Sequence, residues 1–380
     1  MSDIKKVVIL HFLPLEQYPP VMNMIDYLSV NTSVKITVLT TLPDDRFRLK
    51  LYGNTNSNVN IIRTSSINKG KVLRLFHYAQ YYLTSFYSLI INKPDTIFYI
   101  DTLSSFSGLF YKKWISRKVR LMVHYNEYVT PDEYKHGMKL VNRFHKMELS
   151  LYRDFSWISQ TNAVRLGKFR KDIGLNDDAL DNIFHELPNY PPPHWITEKK
   201  VKTDGPHKLV YVGSLGMDTM YVSELINWMN GQKGMFTLDI YAYNVDEKTK
   251  AYLSDLKENS LVRFHGGCDY SNLPQVLPSY DIGIVMYKPF SLNTIHAVSN
   301  KIMEYLAFGL DVWFSKEMTH SLDYVREDCY PKVLAVDFMD LNHFDTEKAM
   351  NKANLKFVPS PYHYDNVYHQ FRNHLFTDAN

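Results

Sequence analysis

Cysteine is scarce in this sequence. Its 380 residues include two cysteines, Cys268 and Cys329. Two thiols cannot build the disulfide framework on which small secreted domains depend, so the chain fits a reducing compartment. The first predicted strand begins at Lys6, which leaves no space for a signal peptide. We therefore expect a cytoplasmic protein.

Long apolar runs are also missing. The longest uncharged stretch, residues 75–92, is interrupted by His77, Gln80 and Ser85. It is too polar to cross a membrane as a helix. With 45% hydrophobic and 22% charged residues, the composition is that of a soluble globular protein. A chain of 380 residues is long enough for two domains, each with its own core.

Several signatures of reactive sites are absent. The sequence has no Asp-x-Asp motif that could hold a divalent ion, no Cys/His spacing typical of zinc, no Gly-x-Ser-x-Gly elbow and no Walker loop. Its basic residues are not accompanied by a nucleic-acid-binding motif. We therefore expect no metal, no cofactor and no nucleic-acid partner.

Charge is distributed unevenly along the chain, although the formal net charge is only +3. Residues 1–190 hold 25 lysines and arginines against 17 acidic residues, a net +8, and the remainder holds 18 against 23, a net −5. The basic first half favours an anionic partner, such as a membrane surface, a lipid-linked phosphate or a polyanionic glycan. An uneven scatter of solvated charges is the alternative.

Short apolar runs alternate with helical patterns along the chain, which is typical of parallel α/β architecture. Residues 188–206 combine prolines and charges without periodicity, which indicates a linker. We therefore predict a first domain over 1–187 and a second over 207–360. The final segment, 361–380, has apolar residues at helical spacing and predicts a helix. This helix either crosses back to the first domain or caps its own.

The most informative stretch is residues 299–312, which reads S-N-K-I-M-E-Y-L-A-F-G-L-D-V. Ser299 is placed to be a helix N-cap, and Lys301 and Glu304 lie one turn apart on that helix. A helix N-terminus with a lysine suits a phosphate, and a carboxylate one turn deeper can accept hydrogen bonds from sugar hydroxyls. Together they indicate a nucleotide-sugar site. An ordinary helix that ends at Gly309 is the alternative.

This stretch resembles the GT-B glycosyltransferases that use nucleotide-activated sugars, in which N-K-x-x-E-Y-x-A-x-G-x-P-V recurs. The matching residues are Asn300, Lys301, Glu304, Tyr305, Ala307, Gly309 and Val312. Asp311 stands where that family usually has Pro, and His296 stands where many retaining members have Glu. The resemblance implies two Rossmann-like doubly wound α/β domains facing each other across a cleft, with the nucleotide in the second domain and the acceptor in the first.

Further donor-binding candidates follow the predicted strands of the second domain. The Gly213–Gly216 loop closes its first strand, where the resembled family places the donor diphosphate. Because Ser214 stands where many retaining members carry Arg, Lys301 is the predicted main phosphate cation. Gly266 and Gly267 leave space for a flat base on which Tyr270 can stack. The full predicted donor set is Gly213, Ser214, Tyr243, Gly266, Tyr270, His296, Ser299, Asn300, Lys301 and Glu304.

Polar residues also end two predicted strands of the first domain. Asp101 follows one of them, and His124 and Glu127 follow the other. A transfer with inversion needs a base for the acceptor hydroxyl proton, and Glu127 is the first candidate, ahead of Asp101 and His124. A retaining enzyme needs no such base. For each residue a solvated loop position or a cap is the alternative, and His11 is a further acceptor-site candidate.

A basic cluster with an aromatic residue inside it consists of Lys112, Lys113, Trp114, Arg117 and Lys118. Such a cluster can dock at an anionic membrane surface. The neighbouring helical pattern over 71–92 is hydrophobic on several sides, and burial of that helix is the alternative to its taking part.

From these residues and the resemblance we predict a metal-independent glycosyltransferase with a UDP- or GDP-type sugar donor. Its acceptor would be a saccharide, lipid-linked, in surface polysaccharide or glycan biosynthesis, and the enzyme would be peripheral at the inner face of the membrane. Two alternatives stay open: a nucleotide-sugar epimerase of the same architecture, and an inactive partner subunit that binds without turnover.

Overall fold

The computed structural model describes residues 4–43, 56–66, 70–175, 177–200, 206–256, 261–352 and 354–376. The chain divides into two compact units, one made of Met1–Asn189 with Tyr364–Asn380 and the other of Tyr190–His363. Each unit contains a parallel sheet with an apolar core on both of its faces. The predicted α/β class is therefore confirmed.

The described part of the first unit has seven parallel strands in the order β3-β2-β1-β4-β5-β6-β7. They are β1 Lys6–Leu10, β2 Lys35–Thr41, β3 Val59–Thr64, β4 Thr96–Ile100, β5 Arg120–Tyr125, β6 Phe155–Gln160 and β7 Phe184–Glu186. Alternate residues of β1 enter different cores, Val7 one and Val8 the other, because successive side chains of a strand point to opposite faces.

The helices described between these strands are α1 Pro19–Asn31, α2 Lys71–Asn92, α3 Phe106–Trp114, α4 Pro131–His136, α5 Lys139–Leu149 and α6 Ala163–Asp172. Local capping explains where two of them begin. Thr130 and Glu133 form a capping box at α4, and the Asn162 side chain accepts a 2.9 Å hydrogen bond from the backbone N–H of Arg165 at α6.

The described part of the second unit has six parallel strands in the order β10-β9-β8-β11-β12-β13. They are β8 His207–Val212, β9 Phe236–Tyr241, β10 Val262–Phe264, β11 Ile282–Val285, β12 Asp311–Ser315 and β13 Val333–Val336. Its helices are α7 Val222–Asn230, α8 Glu247–Asp255, α9 Leu273–Val276, α10 Leu292–Ile295, α11 Asn300–Ala307 and α12 Thr346–Met350. The strand order reverses at β8, between β9 and β11, and open α/β sheets bind ligands at such a point.

The helix predicted near the end of the chain is α13, Asp365–Phe376. Tyr368, Phe371 and Leu375 are buried in the same core as residues of α1. The Tyr368 hydroxyl donates a 3.1 Å hydrogen bond to the carbonyl of Pro20. The last helix therefore packs on the first unit, whose sheet it covers together with α1.

The segment predicted as a linker is packed where it is described. Trp195 is only 4% exposed, and its ring lies 4.7 Å from that of Tyr270. The Thr197 N–H donates a 2.9 Å hydrogen bond to the carbonyl of Ala307. The prolines here shape a segment of the second unit rather than a free connection. Residues 201–205 of this segment lie outside the described residues.

The described part of the chain also contains several short elements, namely β7, α4, α10, α12 and the 3-10 helix Thr319–Tyr324. Such short elements lack the repeated periodicity on which pattern reading depends. None of the described helices combines the length and hydropathy needed to cross a membrane.

Candidate functional site

Tyr305 fixes the position of α11 over the second sheet. Its ring packs on Gly283 of β11 so closely that a Cβ at residue 283 would lie 2.1 Å from it. Its hydroxyl accepts a 3.1 Å hydrogen bond from the backbone N–H of Val212, the last residue of β8. These two contacts bring the first turn of α11 to the carboxyl end of β8.

Lys301 lies in that first turn, against the Gly213 backbone. Gly213 has φ +143, and a Cβ there would lie 2.6 Å from Lys301 Cε and 3.0 Å from Nζ. The ammonium donates a 3.0 Å hydrogen bond to the Tyr287 hydroxyl. It also lies 6.0 Å from the ring centre of Tyr211. The absence of a side chain at residue 213 therefore allows a cation to sit at the end of β8.

Glu304 lies one turn further along α11. Burial raises the pKa of its carboxyl to about 7, although the charge of Lys301 and a hydrogen bond from Tyr270 act in the opposite direction. Burial also disfavours the charged form of Lys301, but Tyr287 and Glu304 outweigh it and the pKa of that ammonium is raised. At neutral pH the site therefore holds a cation beside a carboxyl that is close to half ionised.

The predicted N-cap role of Ser299 is only partly seen. Ser299 does stand at the N-cap position of α11, with φ −71 and ψ 131, but its side chain makes no capping hydrogen bond. Asn300 follows as the first helical residue and is partly exposed. Because the first amides of a helix have no partner within the helix, this end can donate to an anion.

The space expected for a flat base over the Gly266–Gly267 backbone is partly filled. A Cβ at Gly267 would lie 2.0 Å from the Tyr243 ring, which covers that glycine, and the Tyr243 hydroxyl donates a 3.0 Å hydrogen bond to Asp269. Gly266, with φ +75, has no such neighbour within 4 Å. Tyr270 packs on Trp195 and donates a hydrogen bond to the Glu304 carboxylate. Tyr243 therefore takes up part of the expected space, and stacking of a base on Tyr270 stays a prediction.

Three departures from the family pattern have distinct surroundings. Ser214 is exposed at the loop after β8. The Nδ1 atom of His296 lies 3.1 Å from Nδ1 of His320, so one of the two rings donates to the other. Asp311 is buried and pairs with Lys352 Nζ at 2.7 Å. The residue that replaces the usual proline therefore belongs to the packing of the second unit.

In the first unit, β4 and β5 are neighbours, so the residues after them meet. The backbone N–H and the side-chain amide of Asn126 donate to the two carboxylate oxygens of Asp101, at 2.9 and 3.0 Å. Burial raises the pKa of Asp101 to about 6, although the bonds from Asn126 act against it. Asp101 is thus a held carboxylate that titrates near neutrality, as a general base requires.

Glu127 is exposed, and its charge acts on Asp101, Tyr18 and Arg165. Burial, with the charges of Asp101 and Glu127, raises the pKa of the Tyr18 hydroxyl. Arg165 is buried in α6 and donates a 3.0 Å hydrogen bond to the Asn126 carbonyl. Sequence reasoning missed Tyr18 and Arg165. Arg165, just beyond the end of β6, could have been found by the strand-end rule used for the others.

The two histidines proposed for the acceptor side are buried. His124 is 4% exposed, and its Nδ1 lies 3.0 Å from the Ser159 hydroxyl. Burial, with the charge of Arg165, lowers its pKa to about 3. His11 is 1% exposed, and burial lowers its pKa to about 3 as well. Both rings are therefore neutral at physiological pH, and the structure does not place His124 at the surface where a base would meet an acceptor.

The basic cluster in and after α3 does not act as one set. Lys112 is turned into the protein, where its ammonium donates 2.8 Å hydrogen bonds to the carbonyls of Arg117 and Val119. Lys113, Trp114, Arg117 and Lys118 are exposed. Among the described residues, no group of three or more His, Cys, Asp and Glu side chains is arranged to hold a metal ion.

No family model matches the sequence, and no curated protein matches it significantly. Solved structures do match in fold. The lipopolysaccharide outer core galactosyltransferase WaaB has a TM-score of 0.60 and 13% identity, over 98% of this chain and 99% of that one. Sucrose-phosphate synthase from Thermosynechococcus elongatus has a TM-score of 0.61 and 14% identity, over 89% of this chain and 87% of that one.

A third similar structure is the UDP-GlcNAc 2-epimerase from Neisseria meningitidis bound to UDP-GlcNAc. It has a TM-score of 0.60 and 11% identity, over 98% of this chain and 100% of that one. At such low identity these similarities establish the fold and not the reaction. The chain has the GT-B fold, as the resemblance of residues 299–312 predicted.

Proposed function

We propose that this protein is a glycosyltransferase that moves a sugar from a nucleoside-diphosphate donor to a saccharide acceptor. The observation that carries the proposal is the ammonium of Lys301 held against the Gly213 backbone at the end of β8, with Glu304 one turn deeper in α11. A diphosphate at this strand end would meet a full positive charge and the first amides of a helix. A ribose hydroxyl would then donate to Glu304.

The fold relatives support a nucleotide sugar as the ligand. One of them is a galactosyltransferase, and another is an epimerase bound to UDP-GlcNAc. We therefore place a uridine donor first and a guanosine donor second. The nucleotide itself is a substrate, and we predict that the reaction needs no metal ion.

Transfer breaks the bond between the sugar carbon C1 and the diphosphate oxygen and forms a bond from C1 to the acceptor oxygen. Lys301 would stabilise the negative charge that develops on the departing diphosphate, which is an electrostatic role. If the reaction inverts the anomeric carbon, a carboxylate takes the acceptor proton. Asp101 suits this task, because its pKa of about 6 lies close to the working pH.

We propose a lipid-linked saccharide as the acceptor, in surface polysaccharide or glycan assembly at the inner face of the membrane. The support is the basic first half of the chain, with a net charge of +8 over residues 1–190, since a lipid-linked phosphate is an anion. The protein would then be cytoplasmic and peripheral.

A nucleotide-sugar epimerase is the second candidate, because UDP-GlcNAc 2-epimerases are among the fold relatives. Such an enzyme converts its nucleotide sugar without an acceptor. Incubation of UDP-GlcNAc with the protein alone, followed by NMR of the sugar, distinguishes the two. An inactive partner subunit would bind the nucleotide sugar and convert none of it, with or without an acceptor.

Calorimetry with UDP and GDP tests the donor site. Lys301→Ala should weaken diphosphate binding by about 1–3 kcal/mol, because a charge-assisted hydrogen bond to phosphate is lost. Lys250→Ala is the matched control, since Lys250 is exposed on α8 and pairs only with Glu247 among the ion pairs seen in the described residues. Equal affinity of the Lys301 variant and the wild type would reject the proposed phosphate role.

A further inference from the structure

One face of α2 exposes a row of large apolar side chains. Leu73, Phe76, Leu83, Tyr87 and Ile91 follow one another at spacings of three, seven, four and four residues, and each is between 45% and 69% exposed. These spacings place them on one side of the helix. With a rise of 1.5 Å per residue, the row is about 27 Å long. It is far more apolar surface than isolated exposed residues would give.

Helix α3 extends this row sideways. The rings of Phe86 in α2 and Phe110 in α3 lie 5.4 Å apart, and that of Trp114 lies 6.4 Å from Phe110. Trp114 is 66% exposed and Ile115 is 51% exposed. We use the name apolar face for the exposed apolar residues of α2 and of the end of α3, namely Leu73, Phe76, Leu83, Tyr87, Ile91, Phe110, Trp114 and Ile115.

The two segments that form the apolar face carry charges of one sign. Residues 71–92 and 102–126 contain no Asp or Glu. The exposed cations here are Arg74 on α2, Lys113 on α3, and Arg117 and Lys118 just after α3. The Lys113 ammonium lies 5.6 Å from the Trp114 ring centre. A surface with apolar and aromatic side chains in the middle and cations at its rim is complementary to the headgroup region of an anionic bilayer.

We infer that the apolar face docks the protein on an anionic lipid bilayer. The apolar side chains of α2 and α3 enter the boundary between headgroups and acyl chains, and the cations contact the lipid phosphates. The segments that form the face, residues 71–92 and 102–126, offer cations and no carboxylate, which suits the phosphates of lipid headgroups. The inference rests on exposure and charge in the first unit, so it does not depend on the proposed donor chemistry.

The protein carries its own reporter for this contact. Of its five tryptophans, Trp114 is exposed, and Trp157, Trp195, Trp228 and Trp313 are buried. Vesicles of mixed phosphatidylcholine and phosphatidylglycerol should shift the Trp114 emission to the blue and protect it from acrylamide. Vesicles of pure phosphatidylcholine should do so weakly. Trp114→Phe should remove the signal while sedimentation with vesicles persists.

Substitutions separate the two parts of the contact. Replacing Lys113, Arg117 and Lys118 together with Gln should lower partition into the anionic vesicles about 100-fold, at about 1 kcal/mol for each charge. Leu83→Ser with Tyr87→Ser should lower it at least about tenfold. All five side chains are exposed, so melting temperatures should stay close to the wild-type value.

Two controls match these variants. Lys112→Gln removes a charge from the same helix, but because that ammonium faces carbonyls it should lower stability and leave vesicle binding in place. Phe290→Ser with Met339→Ser removes exposed apolar side chains from the second unit and should leave partition into anionic vesicles unchanged. Failure of the wild type to bind anionic vesicles would overturn the inference. So would self-association, seen by ultracentrifugation, that the Leu83/Tyr87 variant abolishes, because the face would then join two copies.

Discussion

Replacement of Glu304 by Gln should remove a pH dependence from the stability of the second unit. The folded carboxyl has a pKa of about 7, against an ordinary value of 4.5. The difference of about 2.5 units corresponds to about 3 kcal/mol at 1.36 kcal/mol per unit. Because the folded state binds this proton more tightly than the unfolded state, stability must fall as pH rises between these two values and change no further above them.

The comparison of wild type with Glu304→Gln isolates this contribution, since other groups that titrate in the same range are common to both proteins. Urea unfolding at a series of pH values should show the variant gaining about 3 kcal/mol over the wild type between about pH 4.5 and pH 7. Tryptophan fluorescence is a suitable signal because Trp195, Trp228 and Trp313 are buried in the second unit. Parallel pH profiles for the two proteins would refute the reasoning, since Glu304 would then have an ordinary pKa.

The same substitution tests ligand binding. If the ionised carboxylate accepts from the ribose, wild-type affinity for UDP-glucose should rise about tenfold from pH 6 to pH 8, as the ionised fraction rises through a pKa of about 7. Glu304→Gln should bind more weakly and show no such rise. UDP-glucose is preferred over UDP because its phosphates carry no group that titrates in this range. A variant that binds like the wild type at pH 8 would exclude the ribose contact.

Three further predictions concern the acceptor side, the metal requirement and the fold. If the product is inverted, Asp101→Asn should lower turnover by about 10²–10⁴-fold and remove a rise in kcat/KM through about pH 6. Glu127→Gln should lower turnover less. A larger loss of turnover in the Glu127 variant than in the Asp101 variant would make Glu127 the base. Activity should persist in excess EDTA, and recovery on adding magnesium or manganese to an inactivated sample would contradict this. Lys352→Met should cost about 3–5 kcal/mol of stability by removing the ion-pair partner of the buried Asp311. Urea unfolding measures this, and an unchanged midpoint would show that the pair contributes little.

Features that depend on neighbouring residues in the chain were predictable. The helical pattern over residues 71–92 predicted α2 with the bounds it has. Lys301 and Glu304 lie on one side of α11 because residues three apart on a helix are neighbours. The alternation of strands and helices was enough to predict two parallel sheets, since parallel strands require crossover connections.

Features that depend on residues far apart in the chain were decided by the tertiary structure. Tyr243 covers Gly267, and Trp195 packs on Tyr270, which reduces the open space at the loop predicted to bind a base. Lys112 turns inward although its neighbour Lys113 does not.

The sequence by itself therefore determined the architecture and the cation–carboxylate pair of the candidate donor site. Only the tertiary structure decided which glycines have open space above them, which lysines face solvent and which face of α2 is exposed. The physical reason is that helical and strand periodicity is a local property, readable over a few turns. Burial and the pKa shifts it causes depend on side chains that folding brings together from distant parts of the chain.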